Sequence, residues 1–220
     1  MILSCDGREI DLRPTKIIAV ARNYKAHAEE MNAGVPAEPS FFLKPPSALL
    51  PHEGEVVLPA ASARVEYEVE LAVIMKTRVK SIMPEAVRNA VLGYTVMVDV
   101  TARDIQSAAK KNGMPWTIAK GFDTFAPLGP RIVTTDSLDP SNLDIWLKVN
   151  AGVRQCGNTN QMVFGVEELI SYVSHIMTLE PMDVIATGTP SGVGPMQGGD
   201  IVEAGIENIG ILRFRAVREQ

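Results

Sequence analysis

The chain has 220 residues, 46% of them hydrophobic and 5% aromatic, with a formal net charge of −5, enough apolar material to bury a sizeable core as one domain. An acidic balance with no basic run and few aromatic rings argues against a surface that tracks phosphates or stacks bases, so no nucleic-acid partner is expected. Cys5 and Cys156 lack C-x-x-C spacing, which excludes a disulfide framework and a structural zinc site. No stretch approaches the length of a membrane span, and the N-terminal MILSCDGREI has neither the basic start nor the apolar run of an export signal. A cytoplasmic protein with no membrane partner is expected.

Residues 1–12 read as a hairpin around Asp6-Gly7, and residues 16–21 (KIIAVA) as a buried strand. The spacing predicts a short helix over 24–31, on which His27 and Glu30 lie three apart and share a face. Such a pair is in the simplest reading a surface contact. The alternative is an acid/base dyad in which the carboxylate orients the imidazole. Turn and breaker residues over 32–39 lead to a short strand at 41–43, and Lys44 precedes two prolines. Prolines at 36, 39, 45, 46, 51 and 59 leave residues 32–59 little regular structure, either packed irregular chain or a mobile cover. His52 in this segment reads as part of a solvated loop.

Residues 64–75 (RVEYEVELAVIM) then read as one strand with unlike faces. Tyr67, Val69, Leu71, Val73 and Met75 form an apolar face. The opposite face begins with Glu66, Glu68 and Glu70 and turns apolar at Ala72 and Ile74, so the strand should run from an opening into a packed interior. Residues two apart on a strand are about 6.6–6.8 Å apart, and like charges held there repel. Solvation, a raised carboxyl pKa or a bound cation would relieve that repulsion, and an ordinary solvated face remains the simpler alternative.

A helix is predicted over 83–91 and a strand over 94–98 that ends at Asp99, a carboxylate that needs a partner if buried. Thr101 and Asp104 have capping-box spacing for the next helix, on whose first turns Arg103 and Gln106 face one direction. Residues 116–119 read as a short strand delivering Lys120, whose apolar approach makes a partly buried ammonium plausible. A hairpin follows through residues 150–152, then an amphipathic helix over 165–179 carrying His175 beside its apolar stripe. Residues 183–187 form a further strand, and 187–195 (TGTPSGVGP) a loop whose glycines allow tight turns or close approach, without P-loop or dinucleotide spacing. Residues 200–206 and 210–217 close the chain as a hairpin.

RNYxxHxxEM at 22–31, FLKP at 42–45, EVELAV at 68–73, VDVTARDIQ at 98–106, PWTIAKGFD at 115–123 and TGTPSGVGP at 187–195 together resemble the fumarylacetoacetate hydrolase family, closest to its small single-domain branch of acylpyruvate hydrolases and oxaloacetate decarboxylases. The resemblance implies an α+β, β-rich fold, a mixed β-sandwich or roll with peripheral helices, covering 1–220 as a single domain and assembled as a homodimer. It implies a divalent ion, Mg²⁺ or Mn²⁺, held by Glu68, Glu70 and Asp99, a hard oxygen donor set; Glu66 falls one alternation outside the motif. It places the catalytic groups at His27, Glu30 and Lys120 and substrate contacts at Arg103, Gln106 and Thr189. The breaker-rich residues 24–40 read as a mobile lid. The activity implied is cleavage of a C–C bond in an acylpyruvate-type β-diketo acid, a small 2-oxo acid substrate, to pyruvate and a carboxylic acid, with oxaloacetate decarboxylation possible at the same site. Isomerisation of an unsaturated 2-oxo diacid, of the 2-hydroxyhepta-2,4-diene-1,7-dioate type, is the alternative. A noncatalytic cation-binding β-sandwich is the remote one.

Overall fold

Strands dominate because β-branched and alternating apolar segments recur along most of the chain. A computed structural model describes residues 1–31 and 34–219. Its strands are β1 (Ile2–Cys5), β2 (Arg8–Asp11), β3 (Ile17–Ala21), β4 (Ser40–Lys44), β5 (Leu49–Pro51), β6 (Glu55–Leu58), β7 (Val65–Tyr67), β8 (Val69–Met75) and β9 (Val91–Val98). Then come β10 (Thr101–Ala102), β11 (Ala126–Thr134), β12 (Asp144–Val149), β13 (Gly152–Asn158), β14 (Val184–Ala186), β15 (Gly194–Pro195), β16 (Ile201–Ile206) and β17 (Gly210–Arg218). The helices are short: α1 (Lys25–Glu30), α2 (Val87–Ala90), α3 (Arg103–Lys111), α4 (Thr117–Lys120) and α5 (Val166–Ile176).

A nine-stranded mixed sheet runs β2-β1-β11-β9-β8-β14-β3-β4, with β5 added beside β11. A five-stranded sheet, β13-β12-β16-β17-β6, packs over it, and a small sheet, β10-β7-β15, bridges them at one end. This is the β-rich α+β sandwich the resemblance implies. The period of β8 builds the two cores. Leu71, Val73 and Met75 enter the main core with Ile145, Leu147, Val202 and Phe214 of the five-stranded sheet, while Ala72 and Ile74 enter a second core on the other face with Leu3, Ile17 and Val184. The sheet is therefore buried on both sides along β8, as its run of apolar residues past Glu70 requires.

Several local expectations change. Residues 64–75 form two strands, not one: at Glu68 the ladder breaks, β7 joins the small sheet, and Val69 N–H donates to the buried Gln155 Oε1 at 3.0 Å. Residues 116–119 belong to a helical turn, α4, whose Lys120 N–H bonds Trp116 C=O at 3.0 Å, in place of a strand. The helix over 83–91 divides into a 3-10 turn at Pro84–Ala86 and the single turn α2, because Val91 is already paired in β9. The proline-rich segment holds β4, β5, β6 and a 3-10 turn. No capping box opens α3. Thr101 is drawn into β10, Ala102 is the N-cap, and Asp104 instead accepts from Ser62 Oγ at 2.6 Å and Ala63 N–H at 2.8 Å.

The hairpin through 150–152 forms as read, with Asn150 and Ala151 at φ 49° and 66°, the left-handed pair of a two-residue turn. Asn32 and Ala33, inside the segment expected to be a lid, lie outside the described residues.

Candidate active site

The acidic end of β8 faces the end of β9, and the chain breaks regular pairing at both. Asp99 N–H donates to Glu68 C=O at 2.8 Å just beyond the last ladder pair, which sets the two carboxylate-bearing segments side by side. Glu68, Glu70 and Asp99 are all buried, and one oxygen of each lies within 4.8 Å of the others. Three carboxylates at that distance need positive charge between or around them.

Three buried cations supply part of it. Lys120 Nζ, delivered by α4, donates to Asp99 Oδ2 at 2.5 Å, Thr101 Oγ1 at 2.6 Å and Glu68 Oε2 at 2.9 Å. Lys44 Nζ, from the end of β4, donates to Asp99 Oδ1 at 2.6 Å and Val100 C=O at 3.0 Å. Arg103, from the first turn of α3, donates to Glu68 Oε1, to Glu66 Oε2 at 2.5 Å and to Gln106 Oε1 at 2.6 Å. Glu66 thus stands outside the carboxylate triad and holds the guanidinium from the far side, with Arg64 also on it at 2.6 Å.

Glu70 is left over. Among the described residues no cation pairs with it, and its bond is from Gly188 N–H, at 2.7 Å. Gly188 reaches it at φ 96°, where a Cβ would stand 2.8 Å from that of Asn23, so the glycine-rich loop approaches closely as its composition requires. Burial, with Asp99 and Glu68 adding to it, pushes the Glu70 carboxyl well up from its ordinary value. Glu68 goes the other way: burial alone would raise it, but Lys120 and Arg103 hold it well below. Burial would likewise lower Lys120, and Asp99 with Glu68 overcomes this and keeps the ammonium charged. For Lys44 burial prevails over Asp99, and its pKa falls. Four carboxylates against three cations leave the buried cluster one negative charge in excess. A hard divalent cation among Glu68, Glu70 and Asp99 fits the all-oxygen donor set and the unpaired state of Glu70.

His27 comes to the same cavity on α1, with Glu30 behind it. His27 is buried, its Nδ1 3.1 Å from Glu30 Oε2, and the other Glu30 oxygen accepts from Gly192 N–H at 3.0 Å. The dyad spacing is realised, and Glu30 is tied to the glycine-rich loop. Thr189 of that loop and Gln106 line the cavity with His27. Thr189 Oγ1 accepts from Gln155 Nε2 at 2.8 Å, so the residue that closes the gap at Val69 also holds Thr189. The structure brings all nine expected residues together. His52 and His175 stay apart from the cavity, His52 accepting from Arg213 N–H and His175 lying against Ser171 C=O.

Sequence reasoning missed Lys44, Asn23 and Gln155. Lys44 carried a signal, an isolated lysine ending an apolar strand before two prolines. Asn23, with Nδ2 on Phe164 C=O and Thr187 C=O and Oδ1 on Phe164 N–H, pins the start of the dyad segment, and nothing local marks it. The cavity around the carboxylates measures about 30 Å³, roughly the room of one water. A larger hollow of about 740 Å³ beyond Phe42 and Trp116 contains no carboxylate among its lining residues and is not the chemical site.

Comparison with known proteins places this arrangement. An uncharacterised protein of Pyrococcus horikoshii is 57% identical over 209 residues, 95% of this chain and 91% of that one. Mitochondrial oxaloacetate tautomerase of Bos taurus is 43% identical over 204 residues, 93% of this chain and 92% of that protein. The crystal structure of fumarylpyruvate hydrolase from Pseudomonas aeruginosa in complex with Mn²⁺ and pyruvate matches with a TM-score of 0.93 at 34% identity, covering 100% of this chain and 96% of that one. The fumarylacetoacetate (FAA) hydrolase C-terminal pattern extends over residues 16–217, and with these likenesses it shows that the chain belongs to the fumarylacetoacetate hydrolase family of enzymes.

Proposed function

We propose that the protein hydrolyses the C–C bond of an acylpyruvate-type β-diketo acid, giving pyruvate and a carboxylic acid, with Mg²⁺ or Mn²⁺ held by Glu68, Glu70 and Asp99. The observation that carries this reading is the unpaired Glu70 within a buried carboxylate triad, set beside a histidine already oriented by its own carboxylate. When bound, the cation supplies Lewis-acid polarisation of the substrate's 2-oxo group. His27 is the base. With Nδ1–H donated to Glu30, the tautomer assigned from that bond leaves Nε2 free to take a proton from water, which attacks the distal carbonyl. Glu30, itself fixed by Gly192 N–H, stabilises the imidazolium that results. The bond to the pyruvate unit then breaks, and the pyruvate carbon takes up a proton. Lys120 stays charged and offsets negative charge developing on oxygen. Arg103, Gln106 and Thr189 orient the 2-oxo acid end.

Oxaloacetate is a second substrate on this reading, supported by the 43% identity to an oxaloacetate tautomerase. Its decarboxylation uses the same polarised 2-oxo group and needs no attacking water. A cavity of about 30 Å³ admits neither acid, so residues 24–40 act as a lid that opens for substrate and brings His27 back over it. The active species is proposed to be a cytoplasmic homodimer; no helix among the described residues is long and apolar enough to cross a membrane. A substrate panel with Mg²⁺ and Mn²⁺ tests the function, following loss of enol absorbance and release of pyruvate. Metal-dependent cleavage of an acylpyruvate is expected, and none on any acylpyruvate would overturn the reading.

A further inference from the structure

The carboxylate triad is not held evenly. Both oxygens of Glu68 and both of Asp99 accept from Lys44, Lys120 or Arg103, whereas Glu70 accepts one hydrogen bond among the described residues, from Gly188 N–H to Oε2. A carboxylate has room for about four. Tyr24 has the complementary shortage. It is the N-cap of α1, three residues before His27, and only 1% of it is exposed. Its hydroxyl is buried and has no hydrogen-bond partner among the described residues. A ring needed for packing alone would be served by phenylalanine, without the cost of burying an unpaired hydroxyl.

Geometry brings the two together. Asn23, the residue before Tyr24, sits against Gly188, its Cβ 2.8 Å from where a Cβ on that glycine would stand, and Gly188 is the donor to Glu70. Glu70 is also the one charged group that acts on the Tyr24 hydroxyl; it reinforces burial in pushing that pKa well up, so the hydroxyl keeps its proton. The backbone of Tyr24 is fixed at the same time. Its C=O accepts from Ala28 N–H at 2.9 Å, closing the first turn of α1, and the residue bridges to Met162.

We propose that Tyr24 is a positioning residue of the carboxylate triad: its hydroxyl donates to Glu70 when a divalent cation is bound, and so ties that carboxylate to the first turn of α1. The inference rests on the metal-binding part of the reading above and goes beyond it by coupling the ion to the helix that carries His27. A cation among the three carboxylates holds Glu70 as an anion, the form to which a neutral hydroxyl makes its stronger bond. Carboxylates that ligate metals are commonly oriented by such outer donors. Packing explains the burial of the ring. It does not explain a hydroxyl brought within the field of the one triad member that has no cationic partner.

The test compares the unaltered protein with Tyr24→Phe, which keeps the ring and removes the hydroxyl. Calorimetry with Mg²⁺ should show an affinity about 10-fold lower in the variant, while the metal-free Tm stays level or rises, because an unpaired buried hydroxyl is gone. Adding Mg²⁺ to the unaltered protein should shift its near-ultraviolet tyrosine absorbance, and the variant should lack that shift. Hydrogen exchange at the Ala28 amide should slow with Mg²⁺ alone in the unaltered protein and not in the variant. Equal Mg²⁺ affinity, a tyrosine shift that survives the substitution, or no slowing at Ala28 would overturn the inference. A fall in the metal-free Tm would assign Tyr24 to packing and overturn it too. If neither Mg²⁺ nor Mn²⁺ binds the unaltered protein, the metal reading falls and the inference with it; unchanged binding in the variant removes Tyr24 alone.

Discussion

Glu70 and His27 share one cavity, and on the proposed reading they serve separable ends that substitution at each should divide. Glu70→Gln keeps the shape of the side chain and removes the carboxylate that has no cationic partner. Metal affinity should drop at least 100-fold, while the metal-free fold holds or gains stability, because a buried uncompensated charge is gone. His27→Ala leaves the carboxylate triad intact. Hydrolysis of an acylpyruvate should then fall by about 10²–10⁴-fold, the usual worth of a positioned base, with oxaloacetate decarboxylation much less affected. Calorimetry with Mg²⁺ and steady-state rates on both substrates check the pair. Unchanged metal binding in Glu70→Gln would remove it from the ligand set, and equal losses in His27→Ala would assign His27 to a step common to both reactions. Alternation put Glu68 and Glu70 on one face, with a solvated surface the simpler reading, and only the resemblance joined Asp99 to them as a ligand set. Lys44 was not legible, since its counterion is 55 residues away.

Elements were legible where their apolar period was long and obscured where a neighbour overrode it. The stripe of α5 and the alternation of β8 were readable; the α4 turn was not, because four residues carry no period and the apolar WTIA run fits either state. The end of Val69's ladder was invisible for a different reason, as its amide is satisfied by the side chain of Gln155, 86 residues on. A similar tie joins β3 to β14. The buried Asp183 carboxylate accepts from Thr15 N–H and Oγ1, Lys16 N–H and Glu180 N–H at 2.7–3.1 Å, and from Lys16 Nζ. Burial would raise its pKa, but these donors, Lys16 foremost, hold it below the ordinary aspartate value. Its contribution is therefore complete above the unfolded value of about 3.9 and is lost as pH falls through the folded one. Asp183→Asn should cost about 3 kcal/mol at neutral pH and flatten the acid limb of a Tm-against-pH curve; an unaltered acid limb would show that Asp183 is not the group responsible. For α1 and its flanks, backbone hydrogen exchange over 24–40 should slow when oxalate binds with Mg²⁺, and equal protection with and without it would rule out a lid.

At the scale of the whole molecule, the sandwich leaves one side unfinished. The open edge strand β4 and the hollow beside it expose Leu43 (45%), Met114 (61%) and, on the adjoining α4, Ile118 (69%), a grouping of apolar side chains that a monomer in water does not favour. If this face joins two copies, light scattering should give twice the chain mass, and Ile118→Lys should shift the population toward the single chain. A monomer at micromolar concentration in the unaltered protein would exclude the homodimer. The interior is under tighter control than this rim. Because β8 sends odd-numbered side chains into one core and even-numbered ones into the other, its two faces behave like a reading frame. Loss of one residue between Glu70 and Met75 would turn acids toward oil on one side and branched apolar side chains toward Asp99 on the other. A loss of two would keep the faces but draw the carboxylates a full step along the strand, away from Asp99. Such a segment can change its letters during descent far more easily than its length.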